Sequence, residues 1–346
     1  MTYKQAILAT VVLAGVVGVA CISQEADSGA GTEMVKAADK FVTALDADQK
    51  KKALFGFDDA ERFNWNFVPM QDKDRKPTRK GLRLQEMSAE QKDLARALLK
   101  TGTSATGYTQ ATTIMSLESI LNDLEKGGAA VRSPEWYFVT IFGKPSKSEK
   151  WGWRIEGHHL SLNFVVDKGK LVSSTPFFFG ANPADVKAGD KKGLRVLKEA
   201  EVYAQDLFAA LDEDQQKIAR QDKQFKEIEQ KGKTAEVTDP VGLPAAKMSD
   251  KQKEILMKLL LSYAGRMPAD VASTEMSRIK AAGIDKVHFA FVREDKKDGK
   301  PYTYRVQGPT FVIMFLNVQA DSARNPANHI HSVWRSLKSD FGLETK

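Results

Sequence analysis

Histidine is scarce in this chain: of 5 in all, four stand in two short clusters, His158-His159 and His329-Ile330-His331. Neutral imidazole is a good ligand for zinc and similar divalent metals, and it is the side chain best placed for proton transfer near neutral pH. On an extended segment His329 and His331 face the same side, and Asn325, Asn328 and Arg335 surround them with further polar groups. No established zinc signature is present, neither HExxH nor a cysteine partner. Three readings stand together: a zinc-like divalent metal on His159, His329 and His331, histidines used for acid–base work or substrate hydrogen bonds, and histidines that are only structural.

The first cluster belongs to the stretch Trp151-Gly152-Trp153-Arg154-Ile155-Glu156-Gly157-His158-His159-Leu160-Ser161-Leu162-Asn163-Phe164. Read as a strand after the glycine, it alternates faces. His158, Leu160, Leu162 and Phe164 form an apolar side, and His159, Ser161 and Asn163 a stripe of hydrogen-bonding groups. On that reading the vicinal histidines cannot both face one site. The expected site joins His159, His331 and Arg335 as catalytic groups, with one histidine as general base or metal ligand and Arg335 stabilising an anionic intermediate. His158, Ser161, Asn163, Trp153 and Arg75 are the candidate substrate contacts, with Trp65 beside them. Arg75 stands in the polar, aromatic and basic loop that runs from Asn64-Trp65-Asn66-Phe67-Val68-Pro69 to Lys80-Gly81. Glu118 and Arg132 are a further acid and base that could form an ion pair or line a cleft. There is no GxSxG elbow, GxGxxG or phosphate loop.

The elements that must position these residues come in two similar series. Ala44-Leu45-Asp46 with Gln49 recurs as Ala210-Leu211-Asp212 with Gln215. Gly81-Leu82, Met87-Ser88 and Gln91-Lys92 recur as Gly242-Leu243, Met248-Ser249 and Gln252-Lys253, and Arg154-Ile155-Glu156-Gly157 as Arg305-Val306-Gln307-Gly308. Each series opens on helical segments. Helices are expected at Ser88–Leu99 and Ser249–Leu261, each with a capping box, then at Thr112–Glu125 and Val271–Ala281. Strands follow at Trp136–Phe142, Trp151–Glu156, His159–Val166 and Leu171–Phe179, and again at Val287–Arg293, Tyr302–Gln307 and Phe311–Val318. Helices first and strands afterwards specify an α+β fold: two diverged repeats, 34–190 and 191–346, packed with a pseudo-twofold relation and a site at their junction. The apolar face after the first glycine survives in the second repeat as Phe311, Ile313 and Phe315, whereas the polar stripe becomes Thr310, Val312 and Met314.

Residues 1–21 read as an export signal. Lys4 precedes an apolar run from Ala6 to Ala20, too short for a membrane-spanning helix of about 20 residues. The single cysteine, Cys21, follows in Gly18-Val19-Ala20-Cys21, which suits lipidation at a bacterial lipoprotein box, although glycine stands where leucine is usual. Residues 22–33 read as a flexible tether. The chain is therefore expected in the cell envelope or outside it, touching membrane only through a lipid on Cys21 or an uncleaved anchor, with no intramolecular disulfide. Its net charge of +7 is dispersed among acids, a solvated surface and not a nucleic-acid stripe. A small-molecule ligand or substrate is the expected partner.

Trp151-Gly152-Trp153, Gly157-His158-His159-Leu160-Ser161-Leu162-Asn163-Phe164, Thr175-Pro176 and Asn328-His329-Ile330-His331-Ser332-Val333-Trp334-Arg335 together resemble the DUF3500 family, over nearly the whole chain after the leader. Trp65-Asn66-Phe67-Val68-Pro69 and Phe142-Gly143-Lys144-Pro145 fit the same pattern. Ser336 departs from it, since an acidic residue is common there. The family's function is unknown, so the resemblance supports the residue set and supplies no reaction. The expectation from the residues is a histidine-centred hydrolase of a small extracellular substrate, working with or without a metal; the alternative is a non-catalytic, ligand-binding envelope lipoprotein.

Overall fold

The computed structural model describes residues 29–343 except Ala129, Gln230 and Glu236. The export signal, Cys21 and most of the tether lie outside the described residues. In chain order the elements are α1 (Ala30–Thr43), α2 (Ala47–Ala53), β1 (Leu54–Phe55), β2 (Leu82–Arg83), α3 (Ala89–Thr101), α4 (Ala105–Glu125), β3 (Phe138–Phe142), β4 (Trp151–Gly157), β5 (Leu160–Asp167), β6 (Lys170–Ser173) and β7 (Phe177–Ala181). There follow α5 (Lys198–Ala209), α6 (Glu213–Ala219), β8 (Leu243–Pro244), α7 (Asp250–Ala264), α8 (Ala269–Ala282), β9 (His288–Arg293), β10 (Tyr302–Gln307), β11 (Phe311–Gln319) and β12 (His329–Ser336). The fold is α+β, as expected, and every strand belongs to one continuous sheet ordered β1-β3-β4-β5-β7-β12-β11-β10-β9-β8, with β2 on β3 and β6 on β5. Among the described residues no helix is long and apolar enough to cross a membrane.

Local chemistry explains where the elements begin. Ser88 and Gln91 form the expected capping box on α3, and Ser249 and Gln252 its counterpart on α7. Asp46 with Gln49 and Asp212 with Gln215 cap α2 and α6 in the same way. The box glutamines then reach each other. Gln91 Nε2 donates to the Ala44 carbonyl and to Gln49 Oε1, each at 2.8 Å. Gln252 Nε2 donates to the Ala210 carbonyl at 2.8 Å and to Gln215 Oε1 at 2.7 Å. Each pair ties two helices to the loop before them, satisfying buried donors that would otherwise be costly.

Several expected boundaries move. α1 starts at Ala30, so residues 30–33 of the expected tether form its first turn, and α4 starts at Ala105, capped by Ser104, well before Thr112. The strand expected at Leu171–Phe179 is two, β6 and β7, because Pro176 has no amide proton for the ladder. The turn Asp167-Lys168-Gly169-Lys170 is the expected hairpin, with Lys168 and Gly169 both at positive φ.

The sheet has two unlike faces. One is packed by the helices over a core containing Trp153, Leu162, Phe179, Trp334, Ile313 and Tyr304. The other is covered by loops, where Trp65, Phe67 and Phe341 pack on Phe178, Val333 and Leu316. Replacing Gln91 or Gln252 by alanine is expected to lower stability by about 1–2 kcal/mol each, with similar losses at the two positions in urea denaturation. A loss at only one position would mean the two cap networks do not do equivalent work.

Candidate functional site

The site forms where β5, β7 and β12 lie side by side. β4 and β5 are joined by a two-residue turn made of His158 and His159, with Gly157 opposite Leu160 and His159 at φ 61°. A Cβ on Gly157 would stand 2.4 Å from the Tyr137 ring, and one on Gly180 2.8 Å from His159 Cδ2, so both close approaches need glycine. His159 N–H donates to the Phe67 carbonyl and Gly180 N–H to the His159 carbonyl, each at 2.8 Å, while Tyr137 Oη donates to the His158 carbonyl at 2.8 Å. The expectation that His158 and His159 lie on opposite faces of a strand is corrected here. They are turn residues, and their ring centroids are 3.8 Å apart.

The second cluster opens β12. β11 pairs with β12 through an irregularity at Asn317 and Gln319, and Asn317 Oδ1 accepts from His329 N–H at 3.1 Å. Asp321 gathers the preceding loop by accepting from Asn325 Nδ2 at 2.8 Å and Asn328 Nδ2 at 2.7 Å. These asparagines, foreseen as neighbours of the cluster, shape its approach and do not point into it.

The clusters meet. His159 Nε2 lies 2.7 Å from His329 Nε2 and 3.2 Å from His331 Nε2, and ligand atoms of all three fall within 4.8 Å of one another. His331 Nδ1 bonds Glu227 Oε2 at 2.9 Å, and His329 hydrogen-bonds the Ala320 backbone. An imidazole that donates through one nitrogen presents a bare lone pair at the other. Two such lone pairs compete for one proton of His159, so the arrangement leaves an acceptor unsatisfied unless an electrophile sits between them. For zinc bound tetrahedrally at ~2.0–2.1 Å, ligand nitrogens stand about 3.3 Å apart. The His159–His331 pair at 3.2 Å matches this, the His159–His329 pair at 2.7 Å is tighter, and the full spread of 4.8 Å would have to close around an ion. Burial, then the neighbouring imidazoles and Arg132, hold His159 well below the ordinary histidine value. Burial and the same neighbours bring His329 down to about 3. Both are therefore neutral near pH 7, the form that ligates.

Glu118 and Arg132, noted in the sequence without a role, flank this group. Glu118 Oε1 is 2.5 Å from His158 Nδ1, and burial lowers the His158 pKa despite that carboxylate. Arg132 is held in a fork by Glu125, at 2.8 and 2.9 Å, with Nη1 3.0 Å from His158 Nδ1. One ring nitrogen cannot serve both partners as donor and acceptor. The shorter Glu118 bond fixes the Nδ1 proton, and Arg132 stands as a cation at the ring edge. Burial favours the neutral form of Glu125, but bonds from Arg132 and Ser322 outweigh it and lower its pKa. Glu227 and Glu125 were not singled out from sequence, since isolated glutamates in charged stretches carry no local signal.

The other predicted contacts separate from the histidines. β5 and β12 both flank β7, so Ser161 and Val333 share one layer over Phe178, and Asn163 and Arg335 lie a further step along. Arg335 is four residues beyond His331, roughly 13 Å along an extended strand. Its Nε donates to Asp340 Oδ2 at 2.6 Å and its Nη2 to the Gly232 carbonyl at 3.1 Å, in a buried pair. Asn163 Nδ2 donates to the Pro176 carbonyl at 3.0 Å, and Ser161 Oγ to Glu156 Oε2 at 3.3 Å. The stripe is thus a satisfied polar layer under Trp65 and Phe67. Trp153 is core, stacked on Phe164 with centroids 4.2 Å apart. Arg75 is exposed, and its guanidinium reaches the Ala130 carbonyl at 3.4 Å.

A family model described as "Protein of unknown function (DUF3500)" matches residues 28–343. No curated protein and no solved structure matches the chain.

Arg335→Met is expected to lower stability by about 3–5 kcal/mol, since it strands the buried Asp340, and Arg75→Ala by less than about 0.5 kcal/mol. Equal effects in thermal or urea denaturation would show that Arg335 has no structural role.

Proposed function

The chain belongs to the DUF3500 family, and we propose that it is an exported metalloprotein whose His159, His329 and His331 hold a zinc-like divalent ion. The observation that carries this reading is the approach of the Nε2 atoms of His329 and His331 to that of His159, with the opposite ring nitrogen of His331 already engaged by Glu227. Glu227 fits the orienting carboxylate that metal-bound histidines usually have. Three protein ligands leave a position for water or substrate, and such an ion supplies a Lewis acid and an activated water for hydrolysis of a small molecule. Around it, Glu118 and Tyr137 hold the His158 turn, Phe67 packs against His331 and excludes water, and Arg132 contributes a positive charge beside the ring of His158.

The finer architecture belongs to the same proposal. Two diverged repeats, 34–190 and 191–346, would each contribute capped helices and then strands, meeting at β7 and β12 with a pseudo-twofold relation. The matched cap networks support this, and so does the strand order, which runs outward from that seam as β7-β5-β4-β3 on one side and β12-β11-β10-β9 on the other. Export with lipidation at Cys21 rests on the leader sequence alone. A second reading, ligand capture or metal-stapled structure without turnover, is favoured by the burial of His159 and His331.

Elemental analysis of protein purified without chelator or histidine tag is expected to find about one divalent metal per chain. Any one of His159→Ala, His329→Ala or His331→Ala should abolish it, and Glu227→Gln should weaken binding about 10–100-fold. No stoichiometric metal, with no thermal stabilisation by added zinc, would overturn the reading. Metal without turnover on ester, phosphate and glycoside panels would select the non-catalytic form.

A further inference from the structure

The two halves treat one arginine differently. Arg154 on β4 and Arg305 on β10 occupy matching places in the repeated Arg-x-x-Gly segment. Arg154 is neutralised by Glu61 at 2.8 Å and Glu156 at 3.3 Å, and Arg79 joins Glu156 at 3.0 Å. In the second half the position of Glu156 is held by Gln307, whose Nε2 donates to the Thr238 carbonyl at 3.0 Å. Arg305 is left with two long contacts, to Thr238 Oγ1 and the Asp239 carbonyl, each at 3.4 Å, and its Nε has no partner. It is only 9% exposed, and among the described residues no carboxylate pairs with it. An arginine residue nine-tenths buried, with no counter-charge among the described residues, is costly to keep.

A cleft of about 860 Å³ opens over this arginine, a size that suits a small organic ligand. Phe225, Val237 and Met314 give it an apolar wall, the Arg305 guanidinium lies 5.2 Å from the Phe225 ring, and the exposed Lys226 and Glu229 offset each other in charge. Glu227 is the residue common to the cleft and the histidine centre, because it lines the first and bonds His331 in the second. Arg305 pairs through Met314 with Val333, two residues from His331. Two strand spacings and two residues put Arg305 about 12 Å from His331 on the same face.

We propose that this cleft binds an organic anion, its carboxylate or phosphate group paired with Arg305 and its apolar chain lying on Phe225 and Met314 toward Glu227. The ligand class deepens the proposed metal reading and rests on it only for what happens at the far end. Anchorage at Arg305 stands on the cleft itself, and the planar fork of arginine suits either anion.

Titration calorimetry with octanoate, octyl phosphate and 1-octanol tests the anchor, and octanedioic acid monohydroxamate, with acetohydroxamate as its short control, tests the link to the metal. The intact chain should bind one or both octyl anions and discriminate against the alcohol. Arg305→Gln should weaken anion binding at least about tenfold, while Arg305→Lys keeps part of it. Preference for the phosphate or the carboxylate identifies which anion the fork was shaped for. His331→Ala should retain octanoate but lose the extra affinity of the monohydroxamate. No anion binding at about 10 mM, a limit corresponding to under 3 kcal/mol, overturns the proposal, as does equal binding by wild type and a folded Arg305→Gln. Absent acetohydroxamate binding with octanoate binding intact would instead sink the reading of a metal with an open position and leave the anchor standing.

Discussion

The antiparallel pairing of β7 with β12 is the interaction on which the rest depends. Five residue pairs, from Ile330 opposite Ala181 to Trp334 opposite Phe177, weld the two halves into one sheet. They also fix the register that sets the β4–β5 turn beside the start of β12. A slip of one residue would turn every β12 side chain to the opposite face, burying His331 among the helices and Trp334 under the loops. Register is protected because both faces of β12 are packed, Trp334 in the helix-covered core and Val333 under Trp65 and Phe67.

Across that seam the loop-covered face changes character. In the first half it is closed by the segment carrying Arg62, Trp65, Phe67 and Arg79, in which Arg62 Nη1 ends on the Phe341 carbonyl and Arg79 Nη1 on the Asn66 carbonyl and the Glu156 carboxylate. In the second half a cleft opens over Arg305, whose Nε has no partner, and Gln307 two residues along β10 has an unpartnered Oε1. The histidines stand at the boundary of these regions. Packing there is aromatic on one side, with Phe67 4.9 Å from the His331 ring, and open to solvent on the other through Glu227.

Much of this was legible in the residues and some could not have been. Capping boxes are local, three residues apart, so Ser88 with Gln91 and Ser249 with Gln252 marked their helices plainly. The alternation of β5 was read correctly from Leu160 onward, because period two is a property of the strand alone. The faces of His158 and His159 were misread because nothing in a short apolar–polar pattern distinguishes the last residues of a turn from the first of a strand. Arg335 was placed with the histidines because four residues seem near in sequence, whereas an extended chain carries them apart. Glu227 was invisible, since its meaning comes wholly from a partner 104 residues away. Asn163 and Ser161 were polar for a structural reason, as their partners Pro176 and Glu156 show.

The separation between the histidines along the chain has a consequence for biosynthesis. His159 and His329 are 170 residues apart. A ligand set divided in this way cannot assemble on a nascent chain until residues 329–331 have been made. An ion captured by all three would act as a late clasp on a very long loop, and loop-closure entropy makes such a clasp most effective when the loop is long. Under the proposed metal reading, loading would then report that both clusters are present and in register across the β7–β12 seam, since a fragment ending before His329 lacks two of the three donors.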